Sequence, residues 1–232
     1  MTTPVRPPGT LDLAQCADLT RRYGSGTRAV AAVRGVSCKL NPGMQVALTG
    51  PSGSGKSTLL HLLAGLDTPT SGTISWPGLG GSPADRPGLV GLVFQGPSLL
   101  PPLDVIENVA LPLLLAGCQE GEARERAVSA LRDVGVPDLA AKLPEELSGG
   151  QAQRVAVARA LAARPRVILA DEPTGQLDSA HAHQVAQLLV AAATQLGAGL
   201  VLATHDLAIA DRLPHRWRMA DGCLVAMEES PC

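Results

Sequence analysis

The sequence predicts an α/β fold, in which short apolar strands and helices alternate around a parallel sheet. Three observations support this class. A glycine-rich loop separates the strand predicted at Gln45–Thr49 from the helix predicted at about Lys56–Leu66. Strands and helices alternate again after Val167. Between these two regions the chain becomes charged and helical, which indicates an inserted helical segment.

Composition limits the classes of function. The chain has 232 residues, 45% of them hydrophobic and only 2% aromatic, so Leu, Val and Ala must build most of the core. A net charge of −2 gives no reason to propose a nucleic-acid partner. The five cysteines form no CxxC pair, so the pattern indicates a reducing cytosol rather than a zinc or dithiol site.

No segment has the pattern of a signal peptide or a membrane span. The N-terminus has no apolar core. The most apolar stretch, Val109–Gly117, contains a proline and falls short of the roughly 20 residues that a span needs. If the protein works at a membrane, we expect another chain to cross it.

The N-terminal part predicts antiparallel strands. Two β-rich runs, Leu11–Tyr23 and Arg28–Leu40, flank the turn-prone Gly24–Gly26. Asn41-Pro42-Gly43 is a second turn, and it precedes the first strand of the parallel sheet. A further buried strand is expected at Leu89–Phe94.

The middle and the C-terminal part continue the pattern. Helices are predicted at Glu120–Gly135 and at Gln151–Arg164, the second stopped by Pro165. The remaining predictions are strands Val167–Ala170 and Leu200–Thr204, helix Ser179–Leu196, and a hairpin within Trp217–Met227 that turns at Asp221-Gly222. We therefore expect one domain over 1–232, with residues 96–155 as a helical subdomain and residues 1–95 and 156–232 as the core and its β subdomain.

The glycine-rich loop matches the phosphate-binding pattern GxxxxGK[ST]. Its residues are Gly50, Pro51, Ser52, Gly53, Ser54, Gly55, Lys56, Ser57 and Thr58. Glycines let the backbone turn its N–H groups towards phosphates, and the following helix directs its positive end at the same place. We expect Lys56 to reach the β- and γ-phosphates and the Ser57 hydroxyl to bind Mg²⁺. An ordinary glycine loop before a helix is the alternative, and the strand-loop-helix context argues against it.

Two carboxylates follow the apolar strand Val167–Ala170. We expect Asp171 to hold the Mg²⁺ shell and Glu172 to orient and partly deprotonate a water. Alone, a solvated acidic turn after a core strand would be about as good an interpretation. The upstream phosphate loop favours the functional one.

A second small-residue loop, Ser148-Gly149-Gly150-Gln151, opens another helix. It is a second potential anion site, because the N–H groups at a helix start attract anions. A serine helix cap explains Ser148 but not the two glycines. Since one phosphate loop is already present, the second indicates contact with the nucleotide of another copy.

Together these motifs resemble the ATP-binding-cassette (ABC) ATPase family, and the resemblance covers roughly residues 10–226. It implies a P-loop NTPase (RecA-like) core, an N-terminal antiparallel β subdomain and an inserted α-helical subdomain. By the same resemblance, Gln95 contacts Mg²⁺ and water, His205 contacts the γ-phosphate, Asp178 in Gly175–Asp178 faces the partner subunit, and Tyr23 stacks on adenine. Singly, such residues are more often structural or simply exposed.

The runs Gly91–Gln95 and Glu107–Gly117 are similar to the branch that serves lipoprotein release, macrolide export and cell division. One departure is the short Gly/Pro-rich Trp76–Gly88, where that branch has a longer linker with a charged helix. The resemblance implies an ATPase that binds ATP and Mg²⁺, dimerises head to tail with a second copy, and sits on the cytoplasmic face of the membrane through permease subunits. Ser98–Glu107 is the expected docking surface for them.

Other functions share these motifs. Soluble ABC ATPases of DNA repair carry long coiled coils or zinc insertions, and translation-factor types carry two cassettes in one chain; neither feature is present here. An importer ATPase, or a signalling or cell-division ATPase that moves no cargo, remains an alternative to the export system.

Overall fold

The computed structural model describes residues 11–26, 29–175 and 178–229, with the side chains of residues 179, 180 and 229 left out. Its described strands form a three-stranded and a six-stranded sheet. The strands are β1 Ala14–Tyr23, β2 Val30–Leu40, β3 Gln45–Thr49, β4 Ser71–Ser75, β5 Val90–Val93, β6 Val167–Asp171, β7 Gly199–Ala203, β8 His215–Ala220 and β9 Cys223–Glu229. The α-helices are α1 Lys56–Leu63, α2 Val105–Leu115, α3 Glu120–Asp133, α4 Gly149–Leu161, α5 Ser179–Leu196 and α6 Leu207–Ala210.

The larger sheet has the order β5-β6-β7-β3-β8-β9 and is parallel except for β9. Successive residues of its inner strands point to opposite faces. Leu169 and Val201 pack into a core shared with α1 and the small sheet, whereas Ile168 and Leu200 pack into a core shared with α2 to α5. The sheet is therefore buried on both faces, which explains its nearly continuous apolar strands.

The smaller sheet, in the order β2-β1-β4, is antiparallel. Together with the inserted α2 and α3, it confirms the α/β class with an N-terminal β subdomain and an inserted helical segment. None of the helices among the described residues is long and apolar enough to cross a bilayer.

Several predicted boundaries were wrong by a few residues. Helix α1 ends at Leu63 rather than Leu66, because Gly65 takes a left-handed φ of 70°. Helix α4 begins two residues before the predicted Gln151, since Ser148 caps it, and ends at Leu161 rather than Arg164. The boundary predicted between residues 155 and 156 therefore falls inside one continuous helix.

Other limits agree with the prediction or differ from it by one to three residues. Strand β3 and helix α5 have the predicted ends, and the final hairpin turns at Asp221-Gly222 as predicted. Strand β1 begins at Ala14 rather than Leu11, and β7 ends at Ala203 rather than Thr204. Arg28, the predicted start of β2, lies outside the described residues.

Three elements were not predicted. Helix α2 contains Pro112, which argues against a helix, but Asp104 and Glu107 form a capping box that starts it. Strand β4 is short and mostly exposed. Helix α6 spans four residues behind the Asp206 cap.

Candidate active site

Four adjacent strands of the large sheet place the predicted catalytic residues and the glycine-rich loop at one edge. In sheet order, Gln95 follows β5, Asp171 ends β6 with Glu172 next to it, His205 follows β7, and the glycine-rich loop Gly50–Gly55 follows β3. Because these strands are parallel, all of these residues lie at their carboxyl ends. This edge is where open α/β sheets bind ligands.

The loop between β3 and α1 requires glycine at two positions. Gly50 has a φ of 148°, and a Cβ there would lie 2.2 Å from the carbonyl oxygen of Met219. Gly55 has a φ of 100°, and a Cβ there would lie 2.1 Å from the carbonyl oxygen of Ala32. The loop is therefore packed against the backbones of β8 and β2, leaving no room for side chains at these two positions.

Lys56 is held in the loop that it follows. Its side chain is 5% exposed, and its ammonium donates to the carbonyl oxygens of Gly50 and Pro51 over 2.9 and 3.1 Å. The Ser54 hydroxyl beside it is buried and has no hydrogen-bond partner among the described residues. A buried cation and an orphaned hydroxyl in a glycine cradle suit an anionic ligand such as a phosphate chain.

Glu172 stands between two basic side chains. Its Oε1 lies 3.4 Å from the Lys56 ammonium and its Oε2 lies 3.4 Å from Nδ1 of His205. The backbone at Glu172 has a φ of 44°, and its N–H donates to the carbonyl oxygen of Ala203 over 3.0 Å. This left-handed conformation is costly outside glycine and is typical of functional positions.

The predicted Mg²⁺ ligands share this edge. Ser57 is exposed in the first turn of α1, Asp171 is half-buried at the end of β6, and Gln95 is exposed. The Gln95 amide lies against Gly175, where a Cβ would come within 3.0 Å of its Nε2. A hydroxyl, an amide and a carboxylate offer the oxygen ligands that Mg²⁺ prefers, so the residues present fit that ion.

Tyr23 ends β1 with an exposed ring and a fixed orientation. Its hydroxyl donates to Asp67 over 2.7 Å, and the Arg21 guanidinium lies 4.6 Å from the ring centroid. Arg21 also pairs with Asp67 over 2.8 Å. Burial alone would raise the pKa of Asp67, but hydrogen bonds from Tyr23, the Thr68 backbone and Arg21 outweigh it and lower that pKa.

The second loop lies at the start of α4. The Ser148 hydroxyl accepts from the Gln151 backbone over 3.3 Å, and the Gln151 side chain accepts in turn from the Ser148 N–H over 3.0 Å. Ser148, Gly150 and Gln151 line a cavity of about 360 Å³. Its other lining residues are Gly135, Val136, Asp138, Leu139, Arg154 and His181. Within the described chain, no residue of Gly50–Thr58 borders it.

Only part of the predicted segment Gly175–Asp178 can be placed, because Gln176 and Leu177 lie outside the described residues. Asp178 precedes α5, and its Oδ2 lies 2.6 Å from Nδ1 of His181. The structure brings His181 to the loop Ser148–Gln151, a contact that no spacing in the sequence indicated.

Two side chains, Asn108 and Arg159, hold the segment that follows Gln95 by hydrogen bonds to its backbone. Asn108, fully buried in α2, donates to the carbonyl oxygens of Leu100, Leu103 and Asp104 and accepts from the Leu100 N–H over 2.7 Å. Arg159 of α4 donates to the carbonyl oxygens of Pro97 and Ser98 over 3.1 and 2.8 Å, and burial lowers its pKa.

This fold and this edge define a class of protein, the P-loop ATPases. Residues 33–175 match a family model described as ABC transporter. The chain belongs to the ABC transporter family and is one of its ATP-binding, ATP-hydrolysing subunits. The predicted family resemblance and P-loop NTPase core are thus confirmed.

Individual relatives agree with this assignment. The chain is 43% identical to the lipoprotein-releasing system ATP-binding protein LolD of Legionella pneumophila (strain Paris), over 90% of this chain and 96% of that protein. The resemblance to the lipoprotein-release branch is therefore confirmed.

Solved structures are also similar. The dimeric bacterial ABC transporter cassette MJ0796 matches with a TM-score of 0.86 at 35% identity, over 94% of this chain and 99% of that one. A post-hydrolysis dimer of MJ0796 bound to ADP and Pi matches equally well at 34% identity, with the same shares of both chains covered. CbiO1 from Clostridium perfringens, part of the transporter complex cbiONQ, matches with a TM-score of 0.81 at 29% identity, over 94% and 89% of the two chains.

Proposed function

We propose that two copies of this chain associate head to tail around two ATP molecules and drive a conformational change in separate membrane subunits of a lipoprotein-release or related extrusion system. Each ATP would lie between Gly50–Thr58 of one copy and Ser148–Gln151 of the other. The observation that carries this proposal is the cavity at the start of α4, which is bordered by the second loop and by no residue of the first. The dimeric MJ0796 cassettes and the LolD relative support it.

Each half of the proposed site supplies a different part of the chemistry. Glu172, at the end of β6, takes a proton from the attacking water. Lys56 and His205 flank Glu172 within 3.4 Å and stabilise the charge of the transferring γ-phosphoryl group. Ser148 and the N–H groups at the start of α4 bind the γ-phosphate of the partner's ATP.

Mg²⁺ would be held by Ser57, Gln95 and, through water, Asp171, and it would supply positive charge against the phosphates. The position of Gln95 depends on whether the γ-phosphate is present, so Gln95 couples the nucleotide to the segment that follows it. Arg159 and Asn108 hold that segment, so a shift of Gln95 is passed to the residues between Ser98 and Glu107.

The surface Ser98–Glu107 is the proposed docking surface for a helix of the membrane subunit. Leu100 is 43% exposed there, although its backbone is fixed by Asn108. An exposed apolar side chain on a rigid loop suits a protein contact, because little ordering entropy is lost on binding. Through this contact the chain would be peripheral on the cytoplasmic face of the membrane.

A complementation experiment tests the shared site. Lys56→Ala damages the first loop and Ser148→Arg blocks the second, so each variant alone should lose ATPase activity. In a 1:1 mixture, half of the dimers are mixed and each has one intact site, so activity should return to about a quarter of the parent level. A mixture of two folded variants that stays inactive would contradict the shared site, as would full turnover by a strictly monomeric preparation.

A further inference from the structure

His181 lies in the first turn of α5 and contacts two segments that the proposed function uses. Its backbone N–H donates to Oδ1 of Asp178 over 3.0 Å, and its ring Nδ1 lies 2.6 Å from Oδ2 of the same carboxylate. One histidine thus contacts both oxygens of Asp178. The side chain itself is about half exposed.

The same imidazole ring also faces the second loop. A Cβ built on Gly150 would lie 3.3 Å from Cδ2 of His181 and 3.9 Å from its Nε2. A side chain at position 150 would therefore press on the ring, and glycine leaves space for it. With Ser148, Gly150, Gln151 and Arg154, His181 lines the cavity at the start of α4.

A second contact joins the same two helices. The Arg154 guanidinium in α4 donates to the Gln184 side-chain oxygen in α5. The first two turns of α4 and α5 are therefore connected both through the ring of His181 and through Arg154. These contacts set the distance between Asp178 and the loop Ser148–Gln151.

We propose that His181 is a positioning residue of the nucleotide sandwich, a proposal that rests on the proposed function. Its ring holds the Asp178 carboxylate at a set distance from Gly150, so that an arriving second copy meets both groups in their bound arrangement. Without the ring, Asp178 loses this contact at Oδ2 and is held less firmly, so closure must then supply more of the ordering entropy. His181 itself does not take part in the chemical step.

His183 provides a matched control. It lies two residues further along α5 and does not border the cavity in the described structure. His181→Asn keeps an N–H donor near the position of Nδ1, whereas His181→Phe keeps a ring against Gly150 and loses the donor.

The experiment measures ATP-driven dimerisation by light scattering in a Glu172→Gln background, which prevents turnover. His181→Ala should raise the ATP concentration for half-maximal dimer by about 5- to 50-fold. His183→Ala should leave it unchanged, His181→Asn should restore most of the loss, and His181→Phe should not. In a Ser148→Arg background, where closure is blocked, His181→Ala should leave the affinity for a fluorescent ATP analogue unchanged.

Two results would overturn this role while leaving the dimer intact. One is closure of His181→Ala at the parent's ATP concentration. The other is a His181→Phe variant that closes as well as His181→Asn, which would show that ring packing alone matters. If the Glu172→Gln parent itself stays monomeric with ATP, the proposed function fails, and the positioning role fails with it.

Discussion

The Lys56 ammonium lies 3.4 Å from the Glu172 carboxylate, and both side chains belong to the same copy. The lysine also donates to the carbonyl oxygens of Gly50 and Pro51, so the loop itself holds it. An incoming phosphate chain offers stronger negative charge than these carbonyls. We therefore expect nucleotide to draw Lys56 away and leave Glu172 available to a water.

Glu172→Gln should separate binding from turnover. The amide keeps the shape of the side chain but cannot take a proton, so the ATPase rate should fall by about 10²- to 10⁴-fold. ATP should still bind, and the variant should accumulate as a dimer in light scattering. A phosphate-release assay that finds near-normal turnover would show that Glu172 is not the base.

Tyr23→Ala should weaken ATP binding, with a loss corresponding to about 1–3 kcal/mol of base stacking. Arg21 lies 4.6 Å from the ring centroid, so adenine would stack on the face that Arg21 leaves free. Tyr23→Phe keeps the ring and should bind nearly as the parent does. Equilibrium binding of ATP and of tripolyphosphate gives the measurement, because only ATP should be affected. Equal losses for both would refute adenine stacking.

Asp67→Asn should lower stability in a pH-dependent manner. The pKa of Asp67 is lowered in the folded chain from its ordinary value of 3.8. The ionised carboxylate therefore stabilises the fold fully at pH values above that ordinary pKa, and this stabilisation is lost as the pH falls through the lowered pKa. At pH 5–7 the variant should be less stable by about 1 kcal/mol in urea unfolding. The difference in the free energy of unfolding between variant and parent should become smaller below pH 4. A difference that stays constant with pH would exclude the ion pair as its cause.

Arg159→Met should destabilise the chain by about 1–3 kcal/mol, because the carbonyl oxygens of Pro97 and Ser98 lose a charged donor. Arg132→Met on the exposed side of α3 serves as the control and should change stability by less than about 0.5 kcal/mol. Chemical unfolding of both variants provides the test. If Arg159→Met were as stable as Arg132→Met, water would replace the Arg159 guanidinium at the two carbonyl oxygens with no loss of stability.

Leu100→Asp should uncouple the subunit from its membrane partner. The side chain is exposed and its backbone hydrogen bonds to Asn108 are retained, so basal ATPase should stay within about twofold of the parent. Stimulation by reconstituted membrane subunits, and transport, should be lost. Intact transport would remove Ser98–Glu107 as the docking surface.

The parts of the fold that could be predicted are those with a strong local signal. Strand β3 is a short apolar run between turns, and α5 is a long periodic stretch closed by Gly197, so both had their correct limits. Helix α2 was not predicted: Pro112 interrupts its apolar run, and the structure shows that Asp104 and Glu107 form a capping box at its start. Once the capping box forms, burial of Val105 and Val109 compensates for the proline.

The candidate site likewise contains residues that the sequence could predict and one that it could not. Lys56, Glu172 and His205 sit within or just after motifs, and a parallel sheet brings strand ends together whatever lies between them. His181 could not be found from the sequence, because its contact with Gly150 joins two helices whose approach depends on tertiary packing. A lone histidine on a helix carries no signal of that contact.

Helix α4 joins the loop Ser148–Gln151 to the segment around Gln95. Ser148 caps its first turn, Gln153 near its middle donates to the carbonyl oxygen of Phe94 over 3.0 Å, and Arg159 near its end grips Pro97 and Ser98. Thirteen residues make an unbroken rod of about 20 Å, so a tilt of about 10° displaces one tip by about 3 Å relative to the other. In the proposed dimer, a nucleotide that binds at the start of α4 would therefore displace the segment held by Arg159 at the other end of the helix.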